Sequence, residues 1–343
     1  MDGSTAESVT SARMSMLFAS IRPWPPTNCC SAICGPRYLW HAFLWEWGEH
    51  KRQMKMFRSG SANARWPKVF GTSPWCPEKT IWLLLFRITM AVTFLAFWTW
   101  SIISSFQDFY WFIYLTHWSL TVEMVYFCFA AGTTFMAWRK LRDANERSRS
   151  DVLPWFVRVT WVLLHIELPA SLTVFFLYWT LDNPIYNLQY VPDALGFFVH
   201  GVNFLFCLTD LLVGRNVFYL KYAPWFFVYT FLYLLWTLIH YWLRIGTFLP
   251  CDEKSATGTY LPGYARDECP IYSALDWHKP TATGIMAGVV LLFVVPLCHV
   301  PLWWCAKGRR GLDYLCQEEA RRDGHMSTPL GDNAGQLPIA CEL

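Results

Sequence analysis

Residues 282–305, ATGIMAGVVLLFVVPLCHVPLWWC, carry no charged side chain and exceed the roughly 20 residues a helix needs to cross a bilayer. Five earlier runs of similar length lie at about 81–103, 109–138, 155–181, 194–214 and 223–243. In hydrocarbon every backbone N–H and C=O must be satisfied within the segment, so such runs form helices. The chain therefore reads as all-α, a polytopic membrane helical bundle with six transmembrane helices.

Basic residues set the expected orientation. Of 28 Lys and Arg, ten fall between Arg13 and Lys79, five in 139–149, two in 215–221 and five after Ala306. The alternate gaps hold none at 104–108, none at 182–193, and only Arg244, Lys254, Arg266 and Lys279 in 244–281. Arg87 and Arg158 complete the set inside span ends. The positive-inside rule makes the basic side cytoplasmic, and an even number of spans requires both termini to be cytoplasmic together.

A composition of 54% hydrophobic, 18% aromatic and 15% charged residues with net charge +3 is that of a membrane protein and gives no footing for nucleic acid. Its partners are membrane lipids. Aromatic residues such as Trp98, Trp100, Trp111, Trp179, Trp242 and Trp303 gather at span ends, where amphipathic rings favour the headgroup layer. Residues 1–35, rich in Ser, Thr, Pro and Ala, read as a disordered segment without a cleavable leader, and Cys29, Cys30 and Cys34 are candidate acylation sites. Residues 36–80 read as a cytoplasmic amphipathic segment, 81–306 as the transmembrane domain, and 307–343 as a disordered cytoplasmic tail whose Cys341 is misplaced for prenylation. No Cys and His spacing suggests a metal site, and no motif calls for a cofactor. Cys251 and Cys269 are the two cysteines of an outward gap, so they are expected to pair as a disulfide that closes a polar loop.

Polar side chains inside spans are costly and are the default functional candidates. The second run carries Thr116, Ser119 and Glu123, the third His165 and Glu167, and the fourth His200, Asn203 and Asp210. Thr116 lies eight residues past Asp108 and His200 seven past Asp193. At about 1.5 Å per residue both therefore sit roughly 10–12 Å below the outer boundary. A hydroxyl and an imidazole in one layer suggest a nucleophile and its general base, with Asn203 or Ser119 donating to a developing oxyanion. The alternatives are structural. Membrane threonines commonly bond the carbonyl four residues back, here Phe112, and histidines bridge helices. Glu123 and Glu167, near mid-membrane, serve either a proton or cation path or the orientation of an imidazole. Asp210, near the cytoplasmic end, reads as a solvated or interfacial group.

The stretch Trp111–Trp118 (WFIYLTHW), His200-Gly201-Val202-Asn203 continuing to Asp210, and Ile271-Tyr272 with Leu275-Asp276-Trp277 and Pro280 resemble the rolling stone family of six-span membrane proteins. The resemblance extends from about Trp40 to Ala306. That family in turn is similar to the androgen-induced hydrolases, six-span enzymes that cleave fatty acid esters of hydroxy fatty acids with a threonine and a histidine. Tyr114-Leu115-Thr116 matches their early-span motif, and His200 followed by Asp210 matches their histidine and acid. The resemblance thus implies Thr116 as nucleophile and His200 as base of a lipid-ester hydrolase. Phe197 stands where those hydrolases have a further histidine, and the 244–281 loop and amino-terminal extension are unlike them. Rolling stone is associated with myoblast fusion, so a non-catalytic role in fusion or adhesion is the second function class. Either function suits a multi-pass protein of the plasma membrane or endoplasmic reticulum.

Overall fold

The computed structural model describes residues 66–75, 80–105, 107–142, 153–182, 193–216, 218–247, 251 and 264–306. The expected disordered segment 1–35, most of the 36–80 segment and the 307–343 tail lie outside these residues. Among the described residues the protein is all-helical: a short α1 (Trp66–Gly71) is followed by six helices long and apolar enough to span a membrane. These are α2 (Thr80–Ser105), α3 (Leu115–Arg142), α4 (Trp155–Leu177), α5 (Ala194–Val213), α6 (Ala223–Trp242) and α7 (Pro280–Ala306).

Apolarity does not sort these helices into inner and outer faces, because each is apolar all round. Polarity does. Arg87, Ser119, Glu123, Thr134, His165, Glu167, Asn203 and Asp210 are all buried, while Val92, Ile103, Ile285, Leu292 and Phe293 are more than 60% exposed. Such an inversion suits a hydrocarbon solvent, which welcomes Leu and Ile and cannot satisfy a carboxylate. α3 packs on α1, α2 and α4, and α4 continues the core against α5 and α6. α7 is the least enclosed span.

Three helices contain wide π turns, at Tyr178–Asp182 after α4, Phe198–Val202 in α5 and Val290–Val294 in α7. The last precedes Pro296, whose missing N–H and bulky ring disturb the preceding turn. The second run also departs from a continuous helix. Gln107–Ile113 is a 3-10 helix, and α3 begins only at Leu115. Trp111 explains the break, since its indole is buried against Ser101 through an Nε1–H to Oγ hydrogen bond of 2.9 Å.

Asp210 is not the solvated group its position suggested. It is fully buried and takes Arg87 in a two-pronged ion pair, Nε to Oδ1 at 2.8 Å and Nη2 to Oδ2 at 3.2 Å. Arg87 also donates through Nη1 to Thr134 Oγ1 at 2.7 Å and to the Phe70 carbonyl at 3.0 Å. Tyr126 donates its hydroxyl to Asp210 Oδ2, and Asn216 Nδ2 donates to that hydroxyl at 3.3 Å. Counting along a span says nothing of cover: α1 and the turn after α5 close this end. Gly214 belongs to the cover, because a Cβ there would lie 2.9 Å from both Arg87 Nη2 and the Asp210 carbonyl.

A buried ion pair stabilises little by itself, but breaking one partner strands a charge at a cost of about 3–5 kcal/mol. Asp210→Asn should accordingly lower the thermal unfolding midpoint of the purified protein sharply, and the Arg87→Met, Asp210→Leu pair should recover most of the loss. A double variant as unstable as the single one would contradict this account.

Candidate active site

A cavity of about 150 Å³ opens where the amino end of α3, the carboxyl end of α4, the π turn of α5, α6 and the segment before α7 converge. Its walls are largely apolar, and its polar groups include Thr116, His200, Tyr229, Tyr233 and Tyr272. Thr116 lies in the first turn of α3, and that turn is held from several sides. Leu115 N–H donates to the Tyr272 hydroxyl at 3.2 Å, and Tyr233 donates its hydroxyl to the Ile113 carbonyl at 2.8 Å. The His117 ring stacks on Trp111 with centroids 4.4 Å apart. The Phe112 carbonyl accepts from Trp118 Nε1 at 2.8 Å and not from Thr116. Among the described residues nothing bonds the Thr116 hydroxyl.

His200 is carried by the π turn Phe198–Val202, which begins one turn after Asp193 caps α5 by accepting from Gly196 N–H at 2.7 Å. The imidazole lies face to face on Tyr178, centroids 3.7 Å apart and planes within 3°. Its carbonyl accepts from Trp179 Nε1 at 2.8 Å, which fixes the turn. Nδ1 is buried without a hydrogen-bond partner. Another unpartnered buried polar atom, the Tyr229 hydroxyl, belongs to the same cavity wall.

The other sequence candidates lie away from this cavity. Ser119 donates to Glu123 Oε1 at 2.8 Å, and Asn203 Nδ2 reaches both Glu123 oxygens at 3.2 Å. These three form a buried knot between α3 and α5, and none borders the cavity. Asp210 belongs to Arg87. Glu167 is buried beside the weak Cys207 donor, and neither of its oxygens makes an ordinary hydrogen bond. No carboxylate orients His165, whose ring is held by backbone. Tyr219 N–H donates to Nε2 at 2.9 Å, so Nδ1 carries the proton that meets the Trp161 carbonyl at 2.7 Å. Among the described residues no group of His, Cys, Asp and Glu is arranged to hold a metal ion.

Sequence reasoning missed the tyrosines. Tyr229 and Tyr233 are one turn apart on α6, a spacing that puts both on one face, but α6 is aromatic throughout and the pattern is lost in it. Tyr272 comes from the segment between α6 and α7, whose described residues are held by a chain of contacts. Cys251 and Cys269 are bonded to each other. Arg266 Nε donates to the Thr247 carbonyl at 3.1 Å, and Trp277 Nε1 donates to Thr237 Oγ1 on α6 at 3.1 Å. Gly246 makes the close approach possible: with φ at +68°, a Cβ there would fall 2.2 Å from the Arg266 carbonyl oxygen.

Asp276 ties the loop to the start of α7. It accepts from Tyr264 at 3.0 Å and from His278 N–H at 3.1 Å, and pairs with Lys279 at 3.3 Å. Burial alone would raise this carboxyl, but hydrogen bonds from His278, Tyr264 and Lys279 outweigh it and hold the group below the usual carboxylate range. A depressed carboxyl stabilises only while ionised. Its contribution is complete above the unfolded value of about 4 and is lost as pH falls through the lower folded value. Hydrogen exchange in 264–279, corrected for its intrinsic pH dependence, should stay slow from neutrality down to about pH 4 and quicken below it. Asp276→Asn should exchange fast even at pH 7; protection equal to that of the parent there would refute the lock.

Among characterised proteins the chain is similar to the protein rolling stone of Drosophila melanogaster, at 23% identity over 250 residues, or 67% of this chain and 79% of that protein. The two are distant homologues, and with its six apolar helices the chain is a rolling stone-like multi-pass membrane protein. No protein-family model matches the chain. No solved structure matches it either.

Proposed function

We propose that this protein is an intramembrane hydrolase of lipid esters, with Thr116 as nucleophile and His200 as general base. The observation that carries the reading is a largely apolar cavity lined by both Thr116 and His200, whose hydroxyl and Nδ1 have no partner among the described residues. Unsatisfied polar atoms are costly in such surroundings, and a ligand with a polar centre between hydrocarbon arms would satisfy them. A fatty-acyl ester has that form.

The imidazole takes the Thr116 hydroxyl proton as the threonine oxygen adds to the ester carbonyl carbon, whose π electrons move onto the carbonyl oxygen. Collapse of the tetrahedral intermediate expels the alcohol, which takes the proton from the imidazolium and leaves an acyl-threonine. Water then repeats the addition, giving up a proton to His200, and collapse releases the acid as Thr116 recovers its proton. The sum is ester plus water to acid plus alcohol. Asp210 is too engaged with Arg87 to assist His200. The Tyr178 ring face, stacked on the imidazole, stabilises the transient cation instead.

With cytoplasmic termini, as the basic residues imply, the cavity belongs to the outer half of the bilayer, and substrate comes from the outer leaflet of the plasma membrane or the lumenal leaflet of the endoplasmic reticulum. Membrane-impermeant maleimide applied to intact cells, or to oriented microsomes, should label thiols introduced in 182–192 and spare those in 140–150. The reverse pattern would invert the topology.

The catalytic assignment predicts that Thr116→Ala and His200→Ala each abolish fluorophosphonate labelling and long-chain ester hydrolysis in proteoliposomes. Removing a nucleophile or base typically costs several orders of magnitude in rate, and the double variant should be little worse than either single one. Thr116→Ser should keep part of both signals. If Thr116→Ala hydrolyses and labels like the parent at equal expression, the pair is structural, and a non-catalytic fusion or adhesion role through the 244–281 loop takes over.

A further inference from the structure

A hydrolase of this kind needs donors for the tetrahedral oxyanion, and the side chains that the sequence offered, Asn203 and Ser119, are both committed to Glu123. The backbone supplies another source. A helix leaves its first four N–H groups without intrahelical acceptors. In α3 three of them are otherwise satisfied. Leu115 N–H donates to Tyr272, and His117 N–H and Trp118 N–H both reach the Tyr114 carbonyl, at 3.1 and 3.3 Å. Among the described residues the fourth, Thr116 N–H, has no acceptor.

We propose that the amino end of α3 is the oxyanion hole, with Thr116 N–H as its donor and Tyr272 as the positioning residue that aims it. Helix N–H groups run parallel to the axis, so Thr116 N–H projects toward the same end of α3 as the Leu115 N–H, which meets the cavity-wall residue Tyr272. The amino-terminal end of a 28-residue helix also carries partial positive charge, in a site where little water screens it. An independent feature points to a ligand here: the Tyr229 hydroxyl, buried and unpartnered, belongs to the same wall. Nucleophile and oxyanion donor would then be two groups of one residue, so the oxygen that becomes charged forms beside the N–H that receives it. Tyr233 reinforces the arrangement by holding the Ile113 carbonyl two residues before Leu115.

This inference rests on the hydrolase reading, and the test separates the two. Replacing Thr116 by its α-hydroxy-acid analogue through nonsense suppression keeps the side chain and deletes only the N–H. The full-length protein so altered should lose about 10²–10³ in kcat on a long-chain ester with KM little changed. Its inhibition by an alkyl trifluoromethyl ketone, which forms a tetrahedral adduct, should weaken by a similar factor. Tyr272→Phe should shift kcat and ketone inhibition in the same direction by about tenfold, which loss of the cavity wall alone would not do selectively. Thermal unfolding midpoints within a few degrees of the parent exclude misfolding as the cause. A parent that hydrolyses while Thr116→Ala does not, together with an analogue that keeps full kcat, overturns the oxyanion assignment alone. A parent that neither labels nor hydrolyses overturns the hydrolase reading and this inference with it.

Discussion

Hydrocarbon offers no hydrogen bonds, and the rest of this structure follows from that constraint. Six helices satisfy their own backbones, and every strongly polar side chain of the spans must then find a partner inside the bundle. The Arg87–Asp210 pair is the largest consequence. Two full charges in the membrane region are tolerated because Thr134, Tyr126 and the Phe70 carbonyl complete their hydrogen bonds. The short α1 is thereby tied to α2, α3 and α5 through one guanidinium, so a segment too short to stand alone is fixed by the charge it helps to bury.

Against that background the exceptions carry the meaning. Ser119, Glu123 and Asn203 satisfy one another, and His165 is bonded at both ring nitrogens. Among the described residues the Thr116 hydroxyl, His200 Nδ1 and the Tyr229 hydroxyl have no partner, and all three residues line one cavity. Among the described residues Glu167 has only the weak Cys207 donor and the Asn203 carbonyl oxygen and His299 Nδ1 have none, but none of these residues lines that cavity. An apolar pocket with several idle polar atoms is the feature on which the proposed ligand reading rests.

The spans were legible because length and apolarity are one-dimensional properties, and six runs read from the sequence became six long helices, five of them within a few residues of their expected ends and the second starting six residues late at Leu115. Thr116 and His200 were legible as a pair by counting from span boundaries, and both line one cavity. Depth says nothing of cover or partner. Asp210 therefore read as solvated when α1 and Gly214 bury it, and Asn203 read as an oxyanion donor when Glu123 claims its amide. The break before Leu115 was hidden as well, since an apolar 3-10 turn and an apolar helix have the same composition. Tyr272 was visible in a motif, but its contact with Leu115 joins residues 157 apart.

That long-range contact makes the α6–α7 loop part of the candidate site. The loop is too polar to enter the bundle for its own stability, yet it is bonded at Cys251–Cys269, pinned by Trp277 to α6, and locked by Asp276 to α7. A loop serving only as a connection between α6 and α7 has no need of these ties, because the spans insert and satisfy their backbones without it. The proposed hydrolase, whose nucleophile lies in a turn bonded to a tyrosine of that loop, does need them. In the proposed mechanism an oxyanion donor displaced by about 1 Å loses most of its effect, so the ties of residues 264–279 are ties lent to the amino end of α3.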